Sequence, residues 1–342
     1  TKDADAAAIT LESLASISPE GDLVAKLAED IPTVENGGVS EDLTTISWKL
    51  KQGVKWSDGS DFTSADLLFT YAYCSDEATG CTNIEQFDGV SSIEAPDDHT
   101  IVITFDNPTP YPYVAFVTSA GHILNAAQFA DCIGTAAQTC SEQNLAPLGT
   151  GPYRLIDFKV NDVATYERNP EWRGEPAYFD KVVFKGGGDA ASAARAVLET
   201  GEADYAWNLQ VEPQILIEME SKGLGEIIVS KGGNVERILI NQTNPDPALG
   251  DMRAEYDDGN NPHPFLTFKP IPQAMSMAID RSIIATQLYG FAGAPTCNII
   301  PAPPYYASTA NDSCLTQDME GAKKLLDDNG VVDTKGDGIR EY

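Results

Sequence analysis

The residues most suggestive of cofactor chemistry are three consecutive glycines, Gly186 to Gly188, followed by Asp189. The run fits the G-x-G-x-x-A pattern, follows a predicted strand and opens a predicted helix, as a dinucleotide-binding turn does. Asp189, however, would place a negative charge where the pyrophosphate must sit, at the helix N-terminus. A strand-to-helix turn capped by Asp189 is therefore favoured, and a nucleotide-dependent enzyme is kept as the alternative.

A second group of ligating residue types lies near the end of the sequence. Asp333, Asp337 and Glu341 have the spacing of oxygen ligands in a calcium loop. Lys335 occupies a position that should hold an acid or an amide, and the sequence stops before the bidentate glutamate of such a loop. A capped acidic turn is favoured over a calcium site, and no metal or other cofactor is expected.

Other catalytic signatures are missing from the sequence. It contains no G-x-S-x-G, no Walker A loop and no H-E-x-x-H, and its three histidines, His99, His122 and His263, lie far apart. With 52 acidic residues, some pair always has glycosidase spacing and carries no information. A hydrolase stays possible but unsupported, and no enzymatic activity is expected.

Composition narrows the class of protein. A chain of 342 residues is long enough for about two domains. The 22 Lys and Arg against 52 Asp and Glu give a net charge of −30, which repels phosphate and makes nucleic acid or an anionic membrane a poor partner. No apolar run approaches the roughly 20 residues of a membrane span, and residues 1–4 do not resemble an export signal.

Six cysteines fall into three neighbouring pairs, with no C-x-x-C and no zinc-type spacing. They allow fifteen connectivities, and pairing of sequence neighbours would close three small loops. The pattern favours an oxidising compartment, although some of the cysteines could be buried free thiols. The connectivity stays open at this level.

Hydrophobic periodicity predicts an alternation of strands and helices typical of an α/β protein. Thr63 and Asp66 form a candidate capping box that opens a helix, and Trp56 is expected to pack beneath a turn set by Asp58 and Gly59. The predicted strands cover 44–51, 101–105, 153–158, 163–168, 181–185, 203–207, 226–229 and 237–241. Further helices are predicted at 190–200, 213–222, 272–290 and 319–329.

Seven motifs occur in a fixed order: V-K-W-S-D-G with F-T-S-A-D at 54–66, G-T-G-P-Y at 149–153, R-N-P-x-W at 168–172, G-E-A-D at 201–204, I-N at 240–241, A-I-D-R at 278–281, and A-K-K-L-L through G-D-G at 322–338. In order and spacing they resemble the family 5 extracellular solute-binding proteins of ABC transporters, the oligopeptide, dipeptide and nickel binder group. The likeness extends over most of the chain.

The resemblance implies an α/β, two-lobed periplasmic-binding-protein-like fold (type II, cluster C-like), truncated at both ends. Residues 1–20 would be an incomplete part of lobe 1, 21–148 an extra domain of that lobe, 149–243 its central α/β part, and 244–342 the incomplete start of lobe 2. The glycine loop at 149–152 and the acidic linker at 244–264 are the predicted boundaries.

The resemblance also implies a receptor that captures a peptide or a similar small solute by hinge closure and delivers it to ABC permeases. It would be a monomer outside the cytoplasm, periplasmic or lipid-anchored at the cell surface. A ligand-sensing orphan receptor of the same fold is a further alternative. Peptide, sugar and metal chelate all remain possible ligands.

Aromatic and amide side chains near the lobe junction are the predicted ligand contacts. Trp207 would stack on the ligand, and Asn208 and Asn241 would hydrogen-bond it, with Tyr205 beside them. Core packing is the competing interpretation of Trp207 and Tyr205. Two further candidates from the other lobe, which a surface loop would equally explain, are Tyr111 and Tyr113.

Overall fold

The computed structural model describes residues 6–229, 232–254, 260–302 and 306–342. The chain divides into two compact units, Thr1–Gly188 (unit 1) and Asp189–Tyr342 (unit 2). The division falls at the glycine turn, whereas the predicted boundaries at 149 and 244 lie inside the two units.

Backbone hydrogen bonds explain where these two segments belong. Gly151 N donates to Thr10 O at 2.9 Å, which ties the glycine loop into unit 1. Asn244 N donates to Asn261 O at 3.1 Å, which closes the start of the acidic segment within unit 2. The assignment of residues to lobes stays a prediction.

Unit 1 begins with a short antiparallel pair, β1 (Ala15–Ile17) and β2 (Leu23–Ala25). A three-stranded antiparallel sheet follows, in the order β3-β5-β4, formed by β3 (Thr45–Lys49), β4 (Val90–Asp97) and β5 (Thr100–Phe105). The predicted strands at 44–51 and 101–105 are confirmed.

The alternation seen in the sequence places one face of this sheet in the core. Ile46 and Trp48 on β3 lie opposite Ile103 and Ile101 on β5, and all four side chains are fully buried. Burial of each stabilises the fold by about 1.5 to 3 kcal/mol. This face is therefore the centre of the main hydrophobic cluster of unit 1.

Helix α1 (Ser64–Ser75) packs on the sheet and starts as predicted. Thr63 caps it and donates its own backbone N–H to Asp66 Oδ2 at 3.0 Å, so both halves of the capping box are present. The buried Trp56 donates its indole N–H to the same oxygen of Asp66 at 3.2 Å. Asp58 accepts a hydrogen bond from Ser60 N, which confirms the structural reading of this motif.

A second antiparallel sheet in unit 1 has the order β6-β7-β8. Its strands are β6 (Tyr153–Lys159), β7 (Val163–Arg168) and β8 (Lys181–Lys185), at the three predicted positions. Tyr153 and Tyr166 are buried on one face, over the N-terminal Ile9. The short helix α2 (Ser141–Leu145) precedes this sheet.

The regular secondary structure described for unit 2 is helical. Its helices are α3 (Ala190–Arg195), continued by a π-turn at Ala196–Thr200, α4 (Pro213–Glu220), α5 (Pro270–Ala278), α6 (Arg281–Tyr289) and α7 (Met319–Asp328). Short 3₁₀ segments along the chain lie at Glu77–Thr79, Ile84–Phe87, Ser119–Gly121, Gly134–Thr139, Pro247–Ala254, Gly290–Ala292 and Thr309–Leu315.

The prediction of one helix over 272–290 was wrong. The chain is extended at Ile279 (φ −85°, ψ 126°), and Asp280 begins a new helix by accepting a hydrogen bond from Ile283 N at 3.0 Å. An aspartate at this position caps a helix better than it continues one, because its side chain competes for backbone N–H groups.

The three strands predicted at 203–207, 226–229 and 237–241 are not formed by the described residues. Each segment is rich in β-formers, but none of them pairs with another strand in the described part of the chain. A strand requires a partner for its backbone N–H and C=O groups, so sequence preference alone does not make one. Side chains such as Ile228 and Leu239 are consequently exposed.

All six cysteines form disulfides between sequence neighbours: Cys74–Cys81, Cys132–Cys140 and Cys297–Cys314. The connectivity that the sequence left open is thereby resolved, and the free-thiol alternative is excluded. None of the helices in the described ranges is both long enough and apolar enough to cross a bilayer.

Candidate functional site

A cavity of about 980 Å³ opens in unit 1. This volume is at the upper end of the range of small-ligand sites. Its walls come from six separate parts of the chain: the N-terminal segment at 8–17, residues 25–29 at the end of β2, residues 51–52 after β3, residues 118–122, Pro152 before β6, and residues 172–174 after β7. The lining mixes apolar side chains with five charged ones, of which three are basic.

The centre of this charge is an ion pair between Glu12 and Arg173. Arg173 Nη1 lies 2.7 Å from Glu12 Oε2, and Nη2 lies 2.8 Å from Oε1, so both carboxylate oxygens are engaged. Glu12 is only 9% exposed. Two parallel charge-assisted hydrogen bonds hold the guanidinium in one orientation. Its Cζ also lies 4.6 Å from the ring centroid of Trp172, which stacks beneath it.

Two lysines complete the cationic side of the cavity. Lys51 Nζ donates to the carbonyl oxygen of Lys26 at 2.7 Å, and Arg173 Nη2 donates to the same oxygen at 3.0 Å. Burial, followed by the positive charge of Arg173, lowers the pKa of Lys51. Lys26 itself is exposed at the rim. The Lys51 ammonium and the Arg173 guanidinium therefore share one uncharged acceptor, the Lys26 carbonyl oxygen.

His122 contributes a neutral imidazole to the lining of the cavity. Burial lowers its pKa from 6.5 to about 4, because the cationic form loses its hydration. At neutral pH the ring adds no charge to the cavity and can donate one hydrogen bond and accept another.

The predicted ligand contacts lie elsewhere. Tyr205, Trp207, Asn208 and Asn241 all belong to unit 2, and the first two are 74% and 46% exposed. Asn208 has a left-handed backbone (φ 52°). Asn241 Oδ1 accepts hydrogen bonds from both the N–H and the hydroxyl of Thr243, at 3.0 and 2.8 Å. Their role in ligand binding stays a prediction.

The tyrosines from the proline-rich loop belong to unit 1 but do not line the cavity. Tyr113 donates its hydroxyl to Pro32 O at 2.7 Å, and its ring meets Trp48 edge-on at 6.2 Å. Tyr111 is 51% exposed, with its ring 5.1 Å from that of Tyr113. Their role as ligand contacts also stays a prediction.

Sequence reasoning missed the cavity residues. Glu12 and Arg173 are 161 positions apart, and neither belongs to a chemical motif. In the sequence, Trp172 stands out only as part of the R-N-P-x-W motif. The one signal available was the scarcity of basic residues, which makes each lysine or arginine beside an apolar strand worth attention.

The glycine turn has the capped geometry that was favoured. Asp189 Oδ1 accepts a hydrogen bond from Ser192 N at 2.8 Å, and Oδ2 accepts one from Ser192 Oγ at 2.8 Å. The aspartate thus occupies the N-terminus of α3, the position that a pyrophosphate would need. The nucleotide-dependent alternative is not favoured.

The acidic loop near the C-terminus is closed by its own residues. Asp333 accepts hydrogen bonds from Gly336 N and Gly338 N, and Lys335 Nζ lies 2.9 Å from Glu341 Oε1. The lysine ammonium thus partners an oxygen that was considered as a calcium ligand. Within the described ranges, no three His, Cys, Asp or Glu side chains are grouped to hold a metal ion.

The class of protein follows from a match over nearly the whole chain. Residues 22–341 match the family described as bacterial extracellular solute-binding proteins, family 5 middle. The chain belongs to this family, as its motifs suggested. Structural neighbours with TM-scores of about 0.7 are two-lobed periplasmic binding proteins, which confirms the predicted fold class.

Individual relatives are more distant. A Brucella ovis protein whose provisional name is ABC transporter peptide-binding protein is 26% identical over 294 residues, covering 85% of this chain and 50% of its own. Glutathione-binding protein GsiB of Escherichia coli K12 is 27% identical over 304 residues, covering 86% and 52%. NikA from Brucella suis in complex with Fe(III)-EDTA superposes on 99% of this chain and 62% of its own, with TM-score 0.71 and 20% identity. The chain spans about half the length of the curated relatives it matches.

Proposed function

We propose that this protein is the extracytoplasmic solute-binding receptor of an ABC importer, which captures a peptide or a similar small solute by hinge closure and delivers it to membrane permeases. Cargo would leave the receptor chemically unchanged, so the protein is not an enzyme. It would act as a monomer with no cofactor and no nucleic-acid partner.

The observation that carries the proposal is the cavity of unit 1. It has the volume of a small-molecule site, and its fixed ion pair presents oriented polar groups beside an apolar wall. Such a combination suits a solute with an apolar body and charged ends, as a short peptide has.

The relatives support the same class of cargo. The Brucella ovis protein is named for peptide binding and GsiB for glutathione binding, and glutathione is itself a tripeptide. In the proposal Trp207 and Tyr205 offer exposed rings to the ligand, and Asn208 and Asn241 offer amides. Tyr111 and Tyr113 are kept as contacts from the other lobe.

The location of the protein is proposed from its chemistry. Three disulfides require an oxidising compartment to form, and the family is extracellular by description. The periplasm and the outer cell surface, with a lipid anchor, both satisfy these conditions. A charge of −30 would keep such a surface soluble and would repel nucleic acid.

Mass spectrometry of small molecules released from the purified protein tests the proposal directly. Recovery of peptides or other small solutes is the expected result. Thermal shift gives a second readout: peptide mixtures should raise the melting temperature, and NAD or NADP should not. Stabilisation by the nucleotides alone, or conversion of a bound compound, would overturn the proposal.

A further inference from the structure

The positive charge in the cavity of unit 1 is out of proportion to the composition of the protein. The chain has 22 basic residues and a net charge of −30, yet Lys26, Lys51 and Arg173 line one cavity with two acids, Glu12 and Glu29. A strongly acidic protein that gathers cations inside a concave site creates a local field attractive to an anion.

With Arg173 paired to Glu12, the lining keeps one positive charge in excess, from Lys26 and Lys51 against Glu29. Both oxygens of Glu12 accept hydrogen bonds from Arg173, so this carboxylate neutralises the guanidinium and does not balance another cation. Neither Lys26 nor Lys51 has a carboxylate oxygen within 4.0 Å among the described residues. Lys51 Nζ donates to the Lys26 carbonyl oxygen at 2.7 Å, and this acceptor carries no net charge.

We propose that this cavity is a carboxylate-binding subsite, in which the ammonium groups of Lys26 and Lys51 bind a carboxylate of the cargo and Arg173, held by Glu12, forms a fixed positive wall. The proposal deepens the proposed function and depends on it. Lys51 has two further N–H donors beyond the one that binds the Lys26 carbonyl, and Lys26 has three. Together they can satisfy both oxygens of a carboxylate.

The remaining lining restricts the kind of anion. Glu29 lies at the cavity and would repel a group of high charge, so a single carboxylate fits better than a phosphate dianion. His122 is neutral at physiological pH and can hydrogen-bond the cargo without adding charge. Ile9, Ile17 and Trp172 supply an apolar surface beside the cations. The structure therefore favours an organic acid with an apolar portion.

The environment of Lys51 agrees with a site that is completed by an anion. Burial, and then the positive charge of Arg173, lower the pKa of Lys51; Glu12 and Asp30 offset part of this effect, and Lys26 adds to it. A carboxylate in contact with the ammonium would remove this penalty and gain a charge-assisted hydrogen bond.

Equilibrium dialysis of the intact protein against two tripeptide pools tests the subsite. One pool has free C-termini and the other has C-terminal amides, both at pH 7 and 0.15 M salt, with retained members identified by mass spectrometry. Retention of the free-acid pool at least tenfold above the amide pool identifies a C-terminal carboxylate as the ligand. Retention within the amide pool confined to Asp- and Glu-containing members identifies a side-chain carboxylate.

Charge-removing variants tie either result to the cavity. Lys51→Gln and the exposed Lys26→Gln should each reduce the preference for carboxylates at least threefold. Lys159→Gln on β6 removes the same charge outside the cavity and should leave it unchanged. Because Lys26 is exposed, its variant tests the site even if Lys51→Gln folds poorly.

Two results would overturn the subsite. Equal retention of members with and without a carboxylate would refute it while leaving the proposed receptor function intact. Retention of neither pool would also refute it, and the solutes released from the purified protein would then decide the proposed function independently.

Discussion

Arg173 and Glu12 are joined by two hydrogen bonds of 2.7 and 2.8 Å although 161 residues separate them in the chain. The same guanidinium donates to the carbonyl oxygens of Thr150 and Lys26, so one side chain connects three distant segments of unit 1. The guanidinium makes four hydrogen bonds here, one more than the three N–H groups of a lysine ammonium could donate.

Removal of the carboxylate should therefore destabilise unit 1. Glu12→Gln keeps the shape but leaves a largely buried guanidinium without its counter-charge, and we expect a loss of about 3 kcal/mol of unfolding free energy. Urea denaturation followed by tryptophan fluorescence measures it. Glu320→Gln breaks the exposed pair with Lys323 and should have no measurable effect. A Glu12→Gln variant as stable as the wild type would contradict the structural role of the pair.

The lowered pKa of the buried His122 makes the stability of the fold depend on pH. Its pKa is about 4 in the folded protein and 6.5 in an unfolded chain, so the unfolded state binds more protons between these values. Stability is fully present above pH 6.5 and is lost as the pH falls towards 4, by up to about 3 kcal/mol. Urea midpoints at pH 7, 5.5 and 4.5 should fall less for His122→Gln than for the wild type. Parallel curves for the two proteins would exclude this contribution.

Local patterns were sufficient to predict much of unit 1. The period-two burial of Ile46 and Trp48, and the capping box at Thr63, are properties of a few adjacent residues, and the structure reproduces both. The break at Asp280 was also present in the sequence as a capping residue, but the apolar spacing on either side of it favoured one long helix.

Features that depend on distant partners could not be predicted in this way. The segments containing Trp207 and Leu239 have strand-like composition, yet the described residues supply no pairing strand. The cavity brings together six separate chain segments, and a charge pair such as Glu12 with Arg173 leaves no local signature. The family motifs indicated the fold because they carry long-range information that periodicity lacks.

The glycine loop before β6 should tolerate no larger side chain at its first position. A Cβ at Gly149 would lie 2.1 Å from Thr10 O, in backbone that cannot move without breaking the Gly151 hydrogen bond to the same carbonyl. Gly149→Ala should cost at least about 2 kcal/mol. Gly188→Ala, where a Cβ meets nothing within 4 Å, is the matched control and should be close to neutral in urea denaturation. Equal stability of the two variants would contradict this packing.

The disulfide Cys132–Cys140 closes a small loop beside Phe129. Replacing both cysteines with alanine removes the restriction on the unfolded chain, and for a separation of 8 residues we expect a loss of about 2.5 kcal/mol. Differential scanning calorimetry of the variant against the wild type measures the change. A reducing agent should lower the melting temperature of the wild type more than that of the variant, because the variant already lacks this disulfide. An unchanged melting temperature in the double variant would show that the bond does not stabilise the fold.

Truncation of Trp207 distinguishes a role in ligand binding from a role in core packing. Trp207 is 46% exposed, so nearly half of its surface is open to a ligand and the rest contacts the protein. If the ring stacks on cargo, Trp207→Ala should weaken binding of the copurified solute at least tenfold, measured by isothermal titration calorimetry, while the unliganded protein loses no more than about 2 kcal/mol of unfolding free energy. Tyr178→Ala removes an 88% exposed ring from unit 1 and should change neither quantity. A loss of stability without a loss of affinity in Trp207→Ala would instead assign the ring to packing. A side chain that only supports the fold affects the unliganded protein and does not contact the ligand.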